Sequence, residues 1–173
     1  MNRLGLLLLV AAGVALYLKR KPVAMALNKL SARGLSLLKE HEGFRPQVYK
    51  DSAGYDTIGF GHKLLPGESF PNGVTVSQAE QILFQDTMKA QKAIQDNVSV
   101  KLSGPQFDAL TSLVYNIGAA AFAKSTLLKL LNQGFYAAAA EQFLQWKYAG
   151  GKPILLSRRI KEKALFETPQ GVA

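Results

Sequence analysis

The sequence predicts an α+β fold that is mostly α and two-lobed, with a small β-hairpin element beside a helical lobe. Three observations predict it. Apolar residues recur at helical offsets through most of the second half of the chain. A single stretch near residues 48–60 reads as short strands around a turn. The 173 residues hold enough apolar side chains for one domain with a sizeable core.

The folded part begins with a helix running from Ser31 or Ser36 to His41, carrying Leu35, Leu37 and Leu38 and ended by Gly43. Glu42 therefore stands at a helix end, facing the next segment of chain. Val48–Lys50 and Thr57–Phe60 read as strands joined by the turn-rich "DSAGYD". "SQAE", Ser77–Glu80, has capping-box spacing and opens a long helix with Ala79, Leu83, Ala90 and Ile94 on one stripe, long enough to connect two lobes. Pro105 suits a first helical turn, and Phe107, Leu110, Leu113, Val114 and Ile117 then form an apolar stripe ending near Gly118. Ser125 caps "TLLKLLNQ", Gly134 stops it, and "YAAAAEQFLQW" and "SRRIKEKALF" supply two further helices. Trp146, inside an apolar helix, is assigned to the core.

The front of the chain is of another kind. Leu4–Leu18 is a continuous apolar run preceded by Arg3 and followed by Lys19, Arg20 and Lys21. It falls short of the roughly 20 residues that a spanning helix needs, a deficit that snorkelling cations or local thinning can make up. Ala24-Met25-Ala26 resembles a cleavage site, but three consecutive cations separate it from the apolar run. The charge bias behind the run argues against export of the rest of the chain, because cations favour the cytoplasmic side. Residues 1–27 are read as a membrane-targeting segment and residues 28–173 as the catalytic domain.

Composition removes whole classes of chemistry. The chain has no cysteine, so a disulfide scaffold, a thiol nucleophile and thiolate metal sites are excluded. Two histidines, His41 and His62, cannot build a multi-histidine metal centre, and no metal or other cofactor is expected. No dinucleotide fingerprint or phosphate loop is present. With 21 Lys and Arg against 12 Asp and Glu, the net charge of +9 suits a polyanionic partner such as an acidic wall or anionic membrane. No interleaved basic and aromatic motif points to nucleic acid.

Carboxylates, hydroxyls and one or two cations remain. Glycoside cleavage needs two carboxyl groups across the scissile bond, one protonated to assist the leaving oxygen and one ionised to activate water or attack. Glu42 at a helix end and Asp51 at a hairpin turn can meet across a cleft, with Thr57 on the returning strand able to hold a water near Asp51. Partial burial against Phe44, Tyr55 and Phe60 would keep Glu42 protonated while a wetter Asp51 stays ionised. Glu40 is a poor substitute, because two positions along a helix turn a side chain by about 200°.

"EGFRPQVYKDSAGYDTIGFGH" resembles the active-site signature of the phage-type lysozymes, the muramidase endolysins: Glu, eight residues, Asp, five residues, Thr. Glu42, Asp51 and Thr57 match it without gaps. The similarity continues through "QFDALTSLVYNIG", "AFAKSTLLKLLNQG", "QFLQWKYAGG" and "SRRIKEKALF", covering roughly residues 31–168. It implies a lysozyme-like fold with a cleft between two lobes, and hydrolysis of the β-1,4 bond from N-acetylmuramic acid to N-acetylglucosamine in peptidoglycan, with inversion at the anomeric carbon. By matched position, Glu42 resembles the acid, Asp51 the water-activating carboxylate and Thr57 its assistant. His62 matches the family histidine, whose plainer role is a hydrogen-bonded brace. Arg158 matches a cleft arginine able to pair with Glu42; Arg159 and Lys161 then read as solvated cations. Tyr115, Asn116 and Ser125 match cleft-lining, substrate-binding positions, with a helix-end or core role competing for the first two. The family's Gly-Leu pair before the twin arginines is absent from "KPILLSRR".

The run at Leu4–Leu18 is similar to the signal-anchor of those endolysins that are exported, held inactive in the host inner membrane and then released into the periplasm. This resemblance implies a phage or prophage origin and a monomer once released. Without cysteine, any latency must be conformational. Two other classes compete: a lytic transglycosylase of the same fold, against which Asp51 and Thr57 argue, and a non-enzymatic cationic protein acting on wall or membrane.

Overall fold

The computed structural model describes residues 29–169. The apolar run at Leu4–Leu18 and the boundary at residue 27 lie outside the described residues, among which no helix is long and apolar enough to cross a membrane.

Helix α1 spans Ala32–Glu42, with the Ser31 hydroxyl accepting from the Gly34 N–H at its start and Gly43 closing it at φ +69°. That backbone angle favours a residue without Cβ, so the chain turns directly from Glu42 into the sheet. Strands β1 (Arg45–Lys50), β2 (Asp56–Gly59) and β3 (His62–Lys63) form an antiparallel sheet in the order β1-β2-β3. The third strand was not expected. It is two residues long, too short to show an alternating pattern, and is defined by pairing Thr57 with Lys63 and Ile58 with His62.

Two hydrophobic clusters make the two lobes. Leu30, Leu38, Ile58, Phe60, Val74, Ala79 and Leu83 pack α1 and the sheet against α2 (Val76–Asp86). The larger cluster, centred on Phe107, Leu110, Leu113, Phe122, Leu131, Phe143 and Phe166, gathers the remaining helices. These are α3 (Met88–Asn97), α4 (Gly104–Ile117), α5 (Ala119–Ala123), α6 (Thr126–Asn132), α7 (Tyr136–Glu141), a 3-10 turn (Gln142–Trp146) and α8 (Leu156–Phe166). Tyr115 packs against both clusters, and Trp146 packs at the edge of the larger one, as expected of a core residue.

The expected long connecting helix is two helices. Its start is capped by Thr75 and Gln78 in a reciprocal box instead of by Ser77 and Glu80. Its middle breaks at Thr87, whose hydroxyl donates to the Phe84 carbonyl at 2.6 Å and accepts from Gln91 Nε2 at 2.9 Å. A threonine hydroxyl bonded back to the preceding turn competes with the helical ladder and bends it. The break lets Ala79 and Leu83 serve one lobe and Ala90, Ala93 and Ile94 the other. A second capping box, Ser103 with Gln106, which the sequence reading did not identify, starts α4, and Pro105 stands in its first turn as expected.

Candidate active site

Glu42 is the last residue of α1, and its Oε1 accepts from Arg158 Nη1 on α8 at 2.8 Å. On its other side runs the β2–β3 turn: a Cβ added at Gly61 would lie 3.7 Å from Glu42 Oε2. Asp51 follows β1 directly. Its Oδ1 accepts the N–H groups of Ala53 and Tyr55, each at 2.9 Å, and Lys63 Nζ stands 3.1 Å from Oδ2. The Tyr55 N–H, against the opposing effect of partial burial, and then Lys63 and the Ala53 N–H hold this carboxyl below the usual range.

Thr57 links the two halves of the arrangement. It is buried in the central strand, paired with Tyr49 on one side and Lys63 on the other, and its hydroxyl donates to the Tyr55 carbonyl at 3.1 Å. Lys63, the partner of Asp51, and Gly61, the neighbour of Glu42, are two residues apart where the turn enters β3, at most about 7 Å of chain. The short run from Glu42 to Lys63 thus carries both carboxylates on a continuous scaffold.

Expected and observed surroundings differ in two ways. Phe44 and Phe60 pack against each other in a tilted arrangement, ring centroids 5.3 Å apart, within the smaller lobe, and Tyr55 is exposed with Lys63 over its ring. Glu42 is therefore matched to an arginine, where an aromatic pocket was expected. Nor is Asp51 the wetter group, since the two side chains are 20% and 23% exposed for Asp51 and Glu42. What distinguishes them is their donors: backbone N–H groups and a lysine for Asp51, a guanidinium for Glu42.

Arg159 corrects another expectation. It is fully buried, because α8 turns both arginines inward against α4. Its Nε lies 2.8 Å from Glu162 Oε2 without alignment as a hydrogen bond, Nη2 donates to Glu162 Oε1 at 2.9 Å, and Nη1 donates to Asn116 Oδ1 at 3.0 Å. Glu162, also fully buried, accepts from Ser112 Oγ at 2.7 Å and from Arg158 Nε at 3.2 Å. Sequence reasoning missed Glu162 and Ser112. The signal was present in "RRIKE", whose spacing sets Glu162 at i+4 from Arg158 and i+3 from Arg159 on one helical face. Lys161, by contrast, is half-exposed and pairs with Glu40 at the rim, as a solvated cation should.

The other residues singled out in the sequence have more local roles. Tyr115 is largely buried, and its phenol is raised above its ordinary range by burial and by the charges of Asp86 and Glu42. Ser125 caps α6, accepting from the Leu128 N–H at 3.1 Å. His62 is clamped, with Nδ1 2.9 Å from Asp86 Oδ2 and Nε2 2.9 Å from Glu68 Oε2. Burial opposes its charged form, but the two carboxylates outweigh it and raise its proton affinity. The partners respond differently: burial dominates at Asp86 and raises it, while the Leu65 N–H and His62 lower the more exposed Glu68. This is a brace with both ring nitrogens occupied. Among the described residues, no group of three His, Cys, Asp or Glu side chains is placed to hold a metal ion.

Known proteins share this arrangement of sequence and fold. The endolysin of Salmonella phage P22 is 45% identical over 142 residues, covering 80% of this chain and 97% of that protein. The SAR-endolysin of Bacteriophage PS119 is 35% identical over 127 residues, covering 70% of this chain and 74% of that one. Among solved structures, a P22 lysozyme mutant superposes with a TM-score of 0.76 at 42% identity, covering 81% of this chain and 99% of that one. The muramidase domain of SpmX from Asticaccaulis excentricus does so with a TM-score of 0.73 at 34% identity, covering 82% and 99%. Residues 39–162 match the family described as Phage lysozyme, and with the signature residues at the helix end and hairpin, this chain belongs to that family.

Proposed function

We propose that this endolysin lysozyme hydrolyses the β-1,4 bond between N-acetylmuramic acid and N-acetylglucosamine in bacterial peptidoglycan, using side chains alone. In this mechanism Glu42, protonated, donates its proton to the glycosidic oxygen as the bond to the anomeric carbon breaks. Asp51, ionised, takes a proton from a water that attacks the opposite face of that carbon, leaving an inverted hemiacetal. Thr57 orients the Asp51 side of the site, and Tyr115, Asn116, Ser125 and Arg158 line the cleft that binds the glycan. The observation that supports these roles best is the unlike surroundings of the two carboxylates. Asp51 accepts two backbone N–H bonds beside a lysine, which stabilises the anion a base must be. Glu42 lies at the lobe junction against one guanidinium, which can stabilise the carboxylate left after proton donation.

Residues 1–27 are proposed to deliver the catalytic domain, residues 28–173, to the host inner membrane through the run at 4–18 and then to the periplasm. There the released monomer, phage or prophage encoded, meets the wall. The SAR-endolysin names of several relatives favour this route.

Digestion of purified peptidoglycan with mass analysis of the products tests the chemistry. The intact protein should release muropeptides with ordinary reducing ends, and Glu42→Gln should lose about 10²–10⁴-fold in rate. Anhydro products would turn the assignment to a transglycosylase, and full lysis by Asp51→Ala would turn it to a non-enzymatic protein.

A further inference from the structure

The buried cluster behind Glu42 contains more charge than stability requires. Arg159 and Glu162 are fully buried and Arg158 nearly so, with 10% of its side chain exposed. Removing such charges from water costs several kcal/mol per ion, and an apolar substitute of similar volume is often as stable. A structural role alone does not explain two arginines and a glutamate in this position.

The charge balance does. Glu42 and Glu162 bind one guanidinium from two sides, Glu42 at Nη1 and Glu162 at Nε of Arg158. Arg159 pairs with Glu162 from the other side and its charge reaches Glu42. With both glutamates ionised the cluster is neutral, and with Glu42 protonated it carries a single positive charge. Without the Glu162 anion, a protonated Glu42 would face two uncompensated guanidiniums.

Building on the catalytic role proposed for Glu42, we propose that Glu162 is a positioning residue that aims Arg158 at Glu42 and offsets the charge of Arg159, so that the acid of the reaction works beside one net positive charge and not two. The other groups around Glu42 do not replace it. His41, its neighbour in α1, is kept neutral by burial and then by the charge of Arg158, with its proton affinity down at about 4. Tyr115 approaches from α4 and is uncharged at neutral pH, since burial and the charges of Asp86 and Glu42 raise it. Glu40 and Lys161 neutralise each other at the rim. From α4, Ser112 and Asn116 contribute only hydrogen bonds, the first to Glu162 and the second to Arg159.

The test is the pH–activity profile on purified peptidoglycan, at constant ionic strength, of the full chain and two variants. Charges bridged by one guanidinium lie a few ångströms apart, so loss of the anion in Glu162→Gln should move the alkaline limb down by about one to two pH units. That corresponds to at least about tenfold less activity at neutral pH, with much of it recovered on acidification. Arg159→Met removes the opposite charge at similar volume and should move the same limb upward, which keeps the proposal testable if Glu162→Gln fails to fold. A uniform loss of rate at every pH, with the limb unmoved in the variants that fold, would overturn the proposal and leave the cluster structural. Glu42→Gln run in parallel separates two failures: if it remains active the catalytic assignment falls, and if it is inactive while the limbs stay fixed only the role of Glu162 falls.

Discussion

Gly34→Ala sets two elementary effects against each other, and the structure decides the sign. In an exposed helix interior, replacing glycine by alanine stabilises by about 1 kcal/mol. In α1, however, the new Cβ would lie 2.5 Å from Leu30 Cδ1 and 2.7 Å from both Cγ and Oδ1 of Asp108. The leucine tip can turn aside. Asp108 cannot do so freely: its side chain, carried on α4, is buried, with Oδ1 accepting the Ser31 N–H at 2.8 Å and Oδ2 the Ser31 hydroxyl. Relief requires either that α1 back away from α4 by roughly 0.8 Å, to reach ordinary contact distances, or that the carboxylate swing off Ser31. Abandoning one such buried bond costs about 1–3 kcal/mol, and overpacking costs a similar amount. Set against the gain in helix propensity, the net is a destabilisation of up to about 2 kcal/mol. A domain of this size loses about 2–4 °C in Tm per kcal/mol, so the midpoint of a thermal melt followed by circular dichroism should fall by up to several degrees. Glu42 is eight residues further along the same helix, so a displaced α1 carries the carboxylate with it and peptidoglycan digestion should fall as well. A Tm equal to or above that of the parent protein would refute the packing account and leave helix propensity in control.

The two histidines should titrate in opposite directions. His41, half-buried beside Arg158, is held down to about 4, so its ring protons should show no transition by NMR near the ordinary value of about 6.5. Because the unfolded chain binds that proton first, stability should fall as pH drops from about 6.5 through 4, by on the order of 1 kcal/mol after allowance for solvent screening at a partly exposed ring. His62 is raised by its two carboxylates in spite of burial, so its contribution is fully present below the unfolded value of about 6.5 and disappears as pH rises through its higher folded value. The stability gap between the parent protein and His62→Gln should therefore be larger at pH 6 than at pH 9, measured by denaturant unfolding; a gap that widens toward pH 9 would refute the brace.

Local chemistry is legible in this sequence because it acts over a few residues. The cap at Ser125, Pro105 in the first turn of α4, the stops at Gly43 and Gly118, the hairpin around "DSAGYD" and the placing of Glu42 at a helix end follow from capping geometry and turn preference alone. The signature spacing of Glu42, Asp51 and Thr57 identified the family for the same reason, being contained in one short stretch. Tertiary structure decided what depends on partners far along the chain. The α2–α3 break at Thr87 exists because the two ends of that apolar stripe are claimed by different lobes. Arg159 looked like a solvated cation because nothing near it in sequence announces that α4 covers that face of α8. The partner of Glu42 is 116 residues away, so whether its neighbour would be an aromatic ring or a guanidinium was a question of packing. Periodicity assigns a residue to a face; only the fold decides which charges that face must meet.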